Sequence, residues 1–323
     1  MQVKYKTTPH SRKFGIELEV SPTIHKEEIG KILYSFEHLH GKSREVRVTP
    51  GTKGWDNTNS NGYWHVKYDS TCGPVGKPID YGWEIASFIG NTEKDLEDIC
   101  KAADLLTMMG VETNDNCGLH IHVDISDFCP EDVGLLLAMW LKIEFHVMAA
   151  CAKRRINNPY CQFLNIRRIT QNAVYNPASL NLFWEAMAPR NLTVHENADK
   201  RYSVNTIGYR TGQMVSDYSR KTVEFRFPEC VLNSEHIGGW TRLLLCFVDQ
   251  CQKIKIAPES IQKAESLAEV LSIIGIHGKE EFLFLDEHLC NTKIWFLRKI
   301  IQENSTGVFA SEANDLLAFM LEI

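Results

Sequence analysis

The sequence predicts an α+β fold, a mostly antiparallel, curved sheet carrying helices on one face. Three observations lead there. Segments at 14–20, 63–69, 81–88, 119–125 and 222–228 alternate apolar and polar residues, as strands do when one face is buried and the other is wet. Segments at 27–40, 93–109 and 130–152 space their apolar residues at the helical period. The resulting order of strand, helix, strand, strand, helix, strand, helix lacks the regular alternation of a parallel α/β sheet.

The first strand is closed by Ser21-Pro22. After the helix at 27–40, residues 41–62 are rich in Gly, Asn, Thr and Lys and read as an exposed loop. Loops of that length in a compact domain are often functional, so 44–61 is a candidate substrate lid, with a plain surface loop as the alternative. In 63–69, Trp64, Val66 and Tyr68 share one face and His65, Lys67 and Asp69 the other. Thr92, with an acidic residue three positions on, caps the next helix, and Gly110 stops it. The helix at 130–152 is apolar on most sides and belongs in the interior. Residues 153–201 show little beyond a helix at 177–188. Strands at 201–207 and 222–228 pair antiparallel through a longer connection, and Ser234 caps a helix running to 253. Short helices follow at 260–274, 293–302 and 311–321, so the chain divides into a domain at 1–252 and a helical appendage at 253–323.

With 44% hydrophobic and 24% charged residues, the chain has an ordinary globular composition. Its 41 acidic and 35 basic residues give a net charge of -6 without a long basic run, which argues against a nucleic-acid partner. The ten cysteines include no C-x-x-C pair and read as buried thiols of a reducing compartment. The polar, basic segment 1–13 lacks the apolar core of a secretory signal, and the longest apolar stretch, at 133–141, is too short to span a bilayer. A cytoplasmic protein with no membrane partner is expected.

The strands also carry a chemical pattern. On their polar faces stand Glu17 and Glu19, then Glu84, then His120 and His122, then Glu224 and Arg226. Alone, a Glu-x-Glu is usually a solvated face, a His-x-His is more often not a ligand pair, and a Glu-x-Arg is usually a cross-strand salt bridge. Together, on strands whose alternate positions are strongly apolar, they would form a floor of carboxylates, imidazoles and a guanidinium. Carboxylates can hold a hard cation, and a guanidinium can hold phosphate oxygens.

Phe14-Gly15-Ile16-Glu17-Leu18-Glu19, residues 64–70 ending in Asp69-Ser70, Glu84-Ile85-Ala86-Ser87, Cys117-Gly118-Leu119-His120-Ile121-His122-Val123, residues 155–160, Arg201-Tyr202 to Asn205, and residues 222–227 resemble the successive motifs of the amidoligase family. The resemblance spans about residues 13–250 and leaves out the tail after about 253. One departure is Phe88, where the family pattern has proline, and it bears on loop shape more than on chemistry.

The resemblance implies a glutamine-synthetase-like catalytic core in residues 1–252 and ATP-dependent formation of an amide or isopeptide bond through an acyl phosphate, with ADP and phosphate released. It implies small-molecule or peptide carboxylate and amine substrates, with ATP and Mg²⁺ or Mn²⁺ as cofactors. Glu17, His120 and Glu224 would hold the metal bridging the β- and γ-phosphates, and Glu19 and Glu84 a second metal. His122 would contact the nucleotide and Arg226 the transferring phosphoryl group. Arg155 and Arg201 are candidates for phosphate or substrate carboxylate, with a surface ion pair the equal alternative for each. Asn205 and Tyr160 would position the ligand, and Asp69 would bind the amine.

Two other readings compete. A metal-dependent hydrolase would use His120 and His122, with nearby Cys117 raising the possibility of zinc, but no second histidine cluster completes a zinc shell. A catalytically inert binding module on the same fold would have lost a metal carboxylate, whereas every acidic position is filled. Asp124 follows His122 on the same face but has no counterpart in the family pattern and reads as the end of the strand. The oligomeric state is open.

Overall fold

Seven strands form one sheet: β1 (Phe14–Val20), β2 (Val46–Val48), β3 (Trp64–Asp69), β4 (Gly82–Ala86), β5 (Leu119–Asp124), β6 (Val204–Asn205) and β7 (Thr222–Phe225), in the order β2-β3-β4-β1-β5-β7-β6. Every neighbouring pair is antiparallel except β2 with β3. The computed structural model describes residues 12–50, 62–73, 81–156, 158–159, 161–164, 202–206, 221–253, 263–276, 287–304 and 306–321. The proposed helix at 177–188 and most of the 44–61 loop lie outside them. The described helices are α1 (Lys26–Leu39), α2 (Glu93–Met108), α3 (Pro130–Met148), α4 (Lys153–Ile156), α5 (Ser234–Lys253), α6 (Leu267–Ile274), α7 (Glu287–Glu303) and α8 (Val308–Leu321).

Cross-strand partners share a face, so the register divides the sheet cleanly. Ile16, Leu18, Val66, Ile85, Leu119, Ile121, Val123, Val223 and Phe225 are buried on the apolar face. Helices meet this face through aromatic contacts. The Trp140 ring of α3 lies 5.1 Å from Phe225 and 5.5 Å from Phe247 of α5. On β3, Trp64 Nε1 donates to Glu37 of α1 at 2.7 Å, which satisfies the one polar atom of a fully buried indole.

Two local expectations change. The stretch at 41–62 contains β2, a three-residue strand too short for its alternation to be read. The cap of α5 is Asn233, whose Oδ1 accepts from His236 N at 2.7 Å, while Ser234 Oγ donates to Asp104. The Thr92 cap is as expected, with Oγ1 accepting from Asp95 N at 3.1 Å. Phe88 is buried edge-on against Trp64 at 5.4 Å, with the Arg44 guanidinium 3.7 Å above its ring.

Side chains of α6 and α7, including Leu267, Val270, Ile274, Phe296 and Ile300, belong to the same apolar cluster as the sheet. The ten cysteines form no disulfide, and seven are buried. Among the described residues, no helix is long and apolar enough to cross a membrane.

Candidate active site

The alternation that buries Ile16 and Leu18 leaves Glu17 and Glu19 only the polar face. Pairing then fixes their neighbours. Glu19 stands opposite Glu84, Glu84 opposite Lys67, Glu17 opposite His120, and His122 opposite Glu224, which faces Asn205. Glu17, Glu19, Glu84, His120, His122, Glu224 and Asn205 thus share one face of the sheet, and Arg226 joins them through Glu224.

His120 is the hub of the group. Its Nδ1 lies 3.4 Å from Glu17 Oε2 and 3.7 Å from Glu224 Oε1, and its Nε2 lies 3.4 Å from Glu19 Oε1. His122 Nε2 lies 3.4 Å from Glu17 Oε1. Asn205 Nδ2 donates to Glu224 Oε2 at 2.7 Å, and Arg226 Nη1 pairs with Oε1 of the same carboxylate. Glu19 Oε2 accepts the Gly118 N–H at 2.5 Å. Lys67 Nζ forms an ion pair with Glu84 Oε1 at 2.7 Å.

Burial dominates the electrostatics. It pushes the Glu19 carboxyl up to about 8, and burial together with the Glu17 charge pushes Glu84 up to about 7. Burial works against the charge of Glu224 too, yet Arg226 and then His122 and His120 hold it down at about 2. His120 is lowered to about 4 by burial and by Arg226, which keeps its imidazole neutral at pH 7, the form that can ligate a metal.

These features fit a divalent cation. Ligand atoms of Glu17, His122 and Glu224 lie within 4.8 Å of one another, and those of Glu19, Asp69 and Cys72 form a second such group. Carboxylates outnumber imidazoles in the donor set, which suits Mg²⁺ or Mn²⁺ better than Zn²⁺. The first group contains His122 where His120 was expected, and both imidazoles reach Glu17; the second contains Asp69 and Cys72 beside Glu19 where Glu84 was expected.

Other candidates fall differently. Arg155, expected at phosphate or substrate, lies under the site at 2% exposure, with Nη2 donating to Arg226 O at 2.9 Å and Nη1 to Asn116 O at 3.3 Å. Main-chain carbonyls near the start of β5 and just past the end of β7 take these donors, which is how a charge this deep is tolerated. Asp69 Oδ1 accepts from Thr71 N at 2.6 Å, and the Asp124 carboxylate accepts from Ser126 N at 3.0 Å at the end of β5. Arg201 and Tyr160 lie outside the described residues. Lys67 was not among the predicted site residues. Its signal was present, because alternation placed it between His65 and Asp69 on the polar face of β3.

A solved structure, the complex between Prokaryotic Ubiquitin-like Protein Pup and its Ligase PafA, is similar at 13% identity and a TM-score of 0.30. The similarity covers 97% of this chain but only 63% of that one. No curated protein matches the chain. The family described as putative amidoligase enzyme matches residues 10–248, and the chain belongs to that family.

Proposed function

We propose that this amidoligase-family enzyme is an ATP-dependent carboxylate-amine ligase that forms an amide or isopeptide bond through an acyl phosphate. The observation carrying this reading is the convergence of four glutamates, two histidines and Arg226 on one sheet face of a chain in this family. Glu17, His120 and Glu224 would hold one Mg²⁺ or Mn²⁺, with His122 near enough to join them or to meet the nucleotide, and Glu19 and Glu84 would hold the other. When bound, these cations supply neutralisation of the triphosphate and of charge developing during transfer.

The chain's own groups orient the reaction. Asn205 fixes the Glu224 carboxylate. Arg226, anchored on Glu224 and through its carbonyl on Arg155, meets the phosphoryl oxygens. A substrate carboxylate oxygen attacks the γ-phosphorus and the bridging bond to the β-phosphate breaks, releasing ADP. The amine, bound near Asp69, attacks the acyl carbon, the bond to phosphate breaks, and the departing phosphate takes up the proton that the amine loses. The substrates are small-molecule or peptide carboxylates and amines. Residues 1–252 are the catalytic unit, a glutamine-synthetase-like core with a curved sheet and helices on one face, 253–323 a helical appendage, and the compartment the cytoplasm.

Incubation with ATP, Mg²⁺ and pooled carboxylates and amines should yield ADP and phosphate. AMP with pyrophosphate would replace the acyl-phosphate route by adenylation, and tight stoichiometric zinc would favour the hydrolase. Glu224→Gln and His120→Ala should each lower ATP consumption by at least about 100-fold with an unchanged circular dichroism spectrum. Normal turnover by either variant overturns the metal assignment.

A further inference from the structure

We propose that Asn114 and Asn116 are positioning residues for the amide-forming step: together they clasp the turn that aims the Asp69 carboxylate, so that the amine meets the acyl phosphate before water does. The inference rests on the reading of Asp69 as the residue that binds the amine and adds what holds that carboxylate in place.

The β3–β4 ladder fixes only the main chain of Asp69, whose partner Gly82 makes the last pair of the two strands. The carboxylate itself is aimed by the turn that follows. Its Oδ1 accepts from Thr71 N and from Thr71 Oγ1, both at 2.6 Å. Ser70 and Thr71 are exposed whereas Cys72 and Gly73 are buried, so the turn is anchored at its inner end. There Asn114 Nδ2 donates to Cys72 O at 2.8 Å and Asn116 Nδ2 to Gly73 O at 2.6 Å. Two side-chain amides thus grip two successive carbonyls. Asn114 Nδ2 also donates to Ser21 Oγ, just past β1, at 2.8 Å, and Asn114 Oδ1 accepts the Asn116 N–H at 2.8 Å, which ties the pair together.

The same segment holds the other side of the site. The Gly118 N–H donates to Glu19 Oε2, and the Asn116 carbonyl accepts from Arg155, which also bonds Arg226 O. Residues 114–118 therefore join the amine side, at Asp69, to the phosphoryl side, at Glu19 and Arg226. Ligand atoms of Asp69 and Glu19 lie within 4.8 Å of each other, so an amine on Asp69 stands beside the centre where the acyl phosphate forms. A reacting pair held this way loses much of its advantage when one partner is misplaced by about 1 Å. Water then competes: its oxygen attacks the acyl phosphate, the bond to phosphate breaks, and the carboxylate and phosphate are returned without an amide.

The phosphate released per amide formed tests this. The full chain is incubated with ATP and Mg²⁺, with free amino acids, short dicarboxylic acids and dipeptides as carboxylates, and with lysine, putrescine and ammonium ion as amines. The wild type should release one phosphate per amide. Asn116→Ala, Asn114→Ala and the nearly isosteric Asn116→Asp, which keeps the volume but loses the donor to Gly73 O, should each raise the ratio by at least about threefold. Asp69→Ala should raise it as far or further. A purely structural role would lower phosphate and amide together and leave the ratio unchanged. A ratio near one in the folded asparagine variants, with Asp69→Ala uncoupled, overturns the proposal and leaves the amine reading standing. A ratio near one in Asp69→Ala overturns the amine reading, and the proposal falls with it. Absence of carboxylate-dependent ADP release in the wild type overturns both.

Discussion

A side chain at position 118 has no room. A Cβ built on Gly118 would overlap the Arg155 guanidinium and approach His120 Nε2 to 3.0 Å. Arg155 is held by two carbonyls and cannot retreat freely, so Gly118→Ala should push it off Arg226 O and disturb Glu19, which bonds the Gly118 N–H. The expected outcome is a stability loss of about 1–3 kcal/mol in urea unfolding, with a larger proportional loss of ATP consumption. Glu144 gives a pH test away from the site. Burial pushes this carboxyl up to about 7 from 4.5, although Ser203 and the Leu164 N–H bond to it. Below 4.5 it is protonated folded and unfolded. Above that only the unfolded chain releases its proton, so stability falls until about pH 7, where the folded state ionises as well. The full penalty is roughly 3 kcal/mol. Glu144→Gln should remove it, so urea midpoints at about pH 5 and about pH 8 should differ less in the variant than in the wild type. Glu17, Glu19, His120, His122 and Glu224 were legible in the sequence because a two-residue period exposes which side chains share a face. The role of Arg155 was not, because its partners are carbonyls of residues 116 and 226, which only folding brings near it.

Elements were legible where they were long or had strong ends. The α2 helix has both, sixteen residues and a threonine whose hydroxyl accepts from Asp95 N and donates to Asp95 Oδ2 at 2.7 Å. Thr92→Ala should cost about 1 kcal/mol in urea unfolding and leave metal binding intact, since α2 supplies no ligand. Loss of Mn²⁺ binding in that variant would show that α2 holds the sheet in register. Weak signals failed in two places. The β2 strand has only three residues, and it joins the sheet because Gly30 of α1 leaves space for Val48, a contact between distant segments. At the start of α5, Asn233 and Ser234 are both good caps by residue type. Asp104 of α2 decides between them by taking the Ser234 hydroxyl.

At the scale of the whole molecule, α6 and α7 share one apolar cluster with the sheet. Trp295 of α7 stacks edge-on against Trp240 of α5 at 5.1 Å, over Gly239, and Lys299 Nζ reaches Glu229 Oε1 at 3.0 Å. A Cβ on Gly239 would overlap the Trp295 indole. Gly239→Ala should lower stability by about 1–3 kcal/mol in urea unfolding. If 253–323 is an appendage, Mn²⁺ binding should survive the change, and its loss would make the C-terminal helices part of the catalytic unit. Alternation alone told which residues of the longer strands face the core and which face the site, because it is local and a one-residue slip would expose Ile16, Leu18, Ile121 and Val123. Only the tertiary structure decided which strands are neighbours. The order β2-β3-β4-β1-β5-β7-β6 sets Glu84 beside Lys67 and both histidines beside Glu17, and it depends on pairings between residues as far apart as His122 and Glu224. Closing such long connections costs an entropy that grows only slowly with length, so sequence spacing left the partners open and packing of the apolar faces chose them.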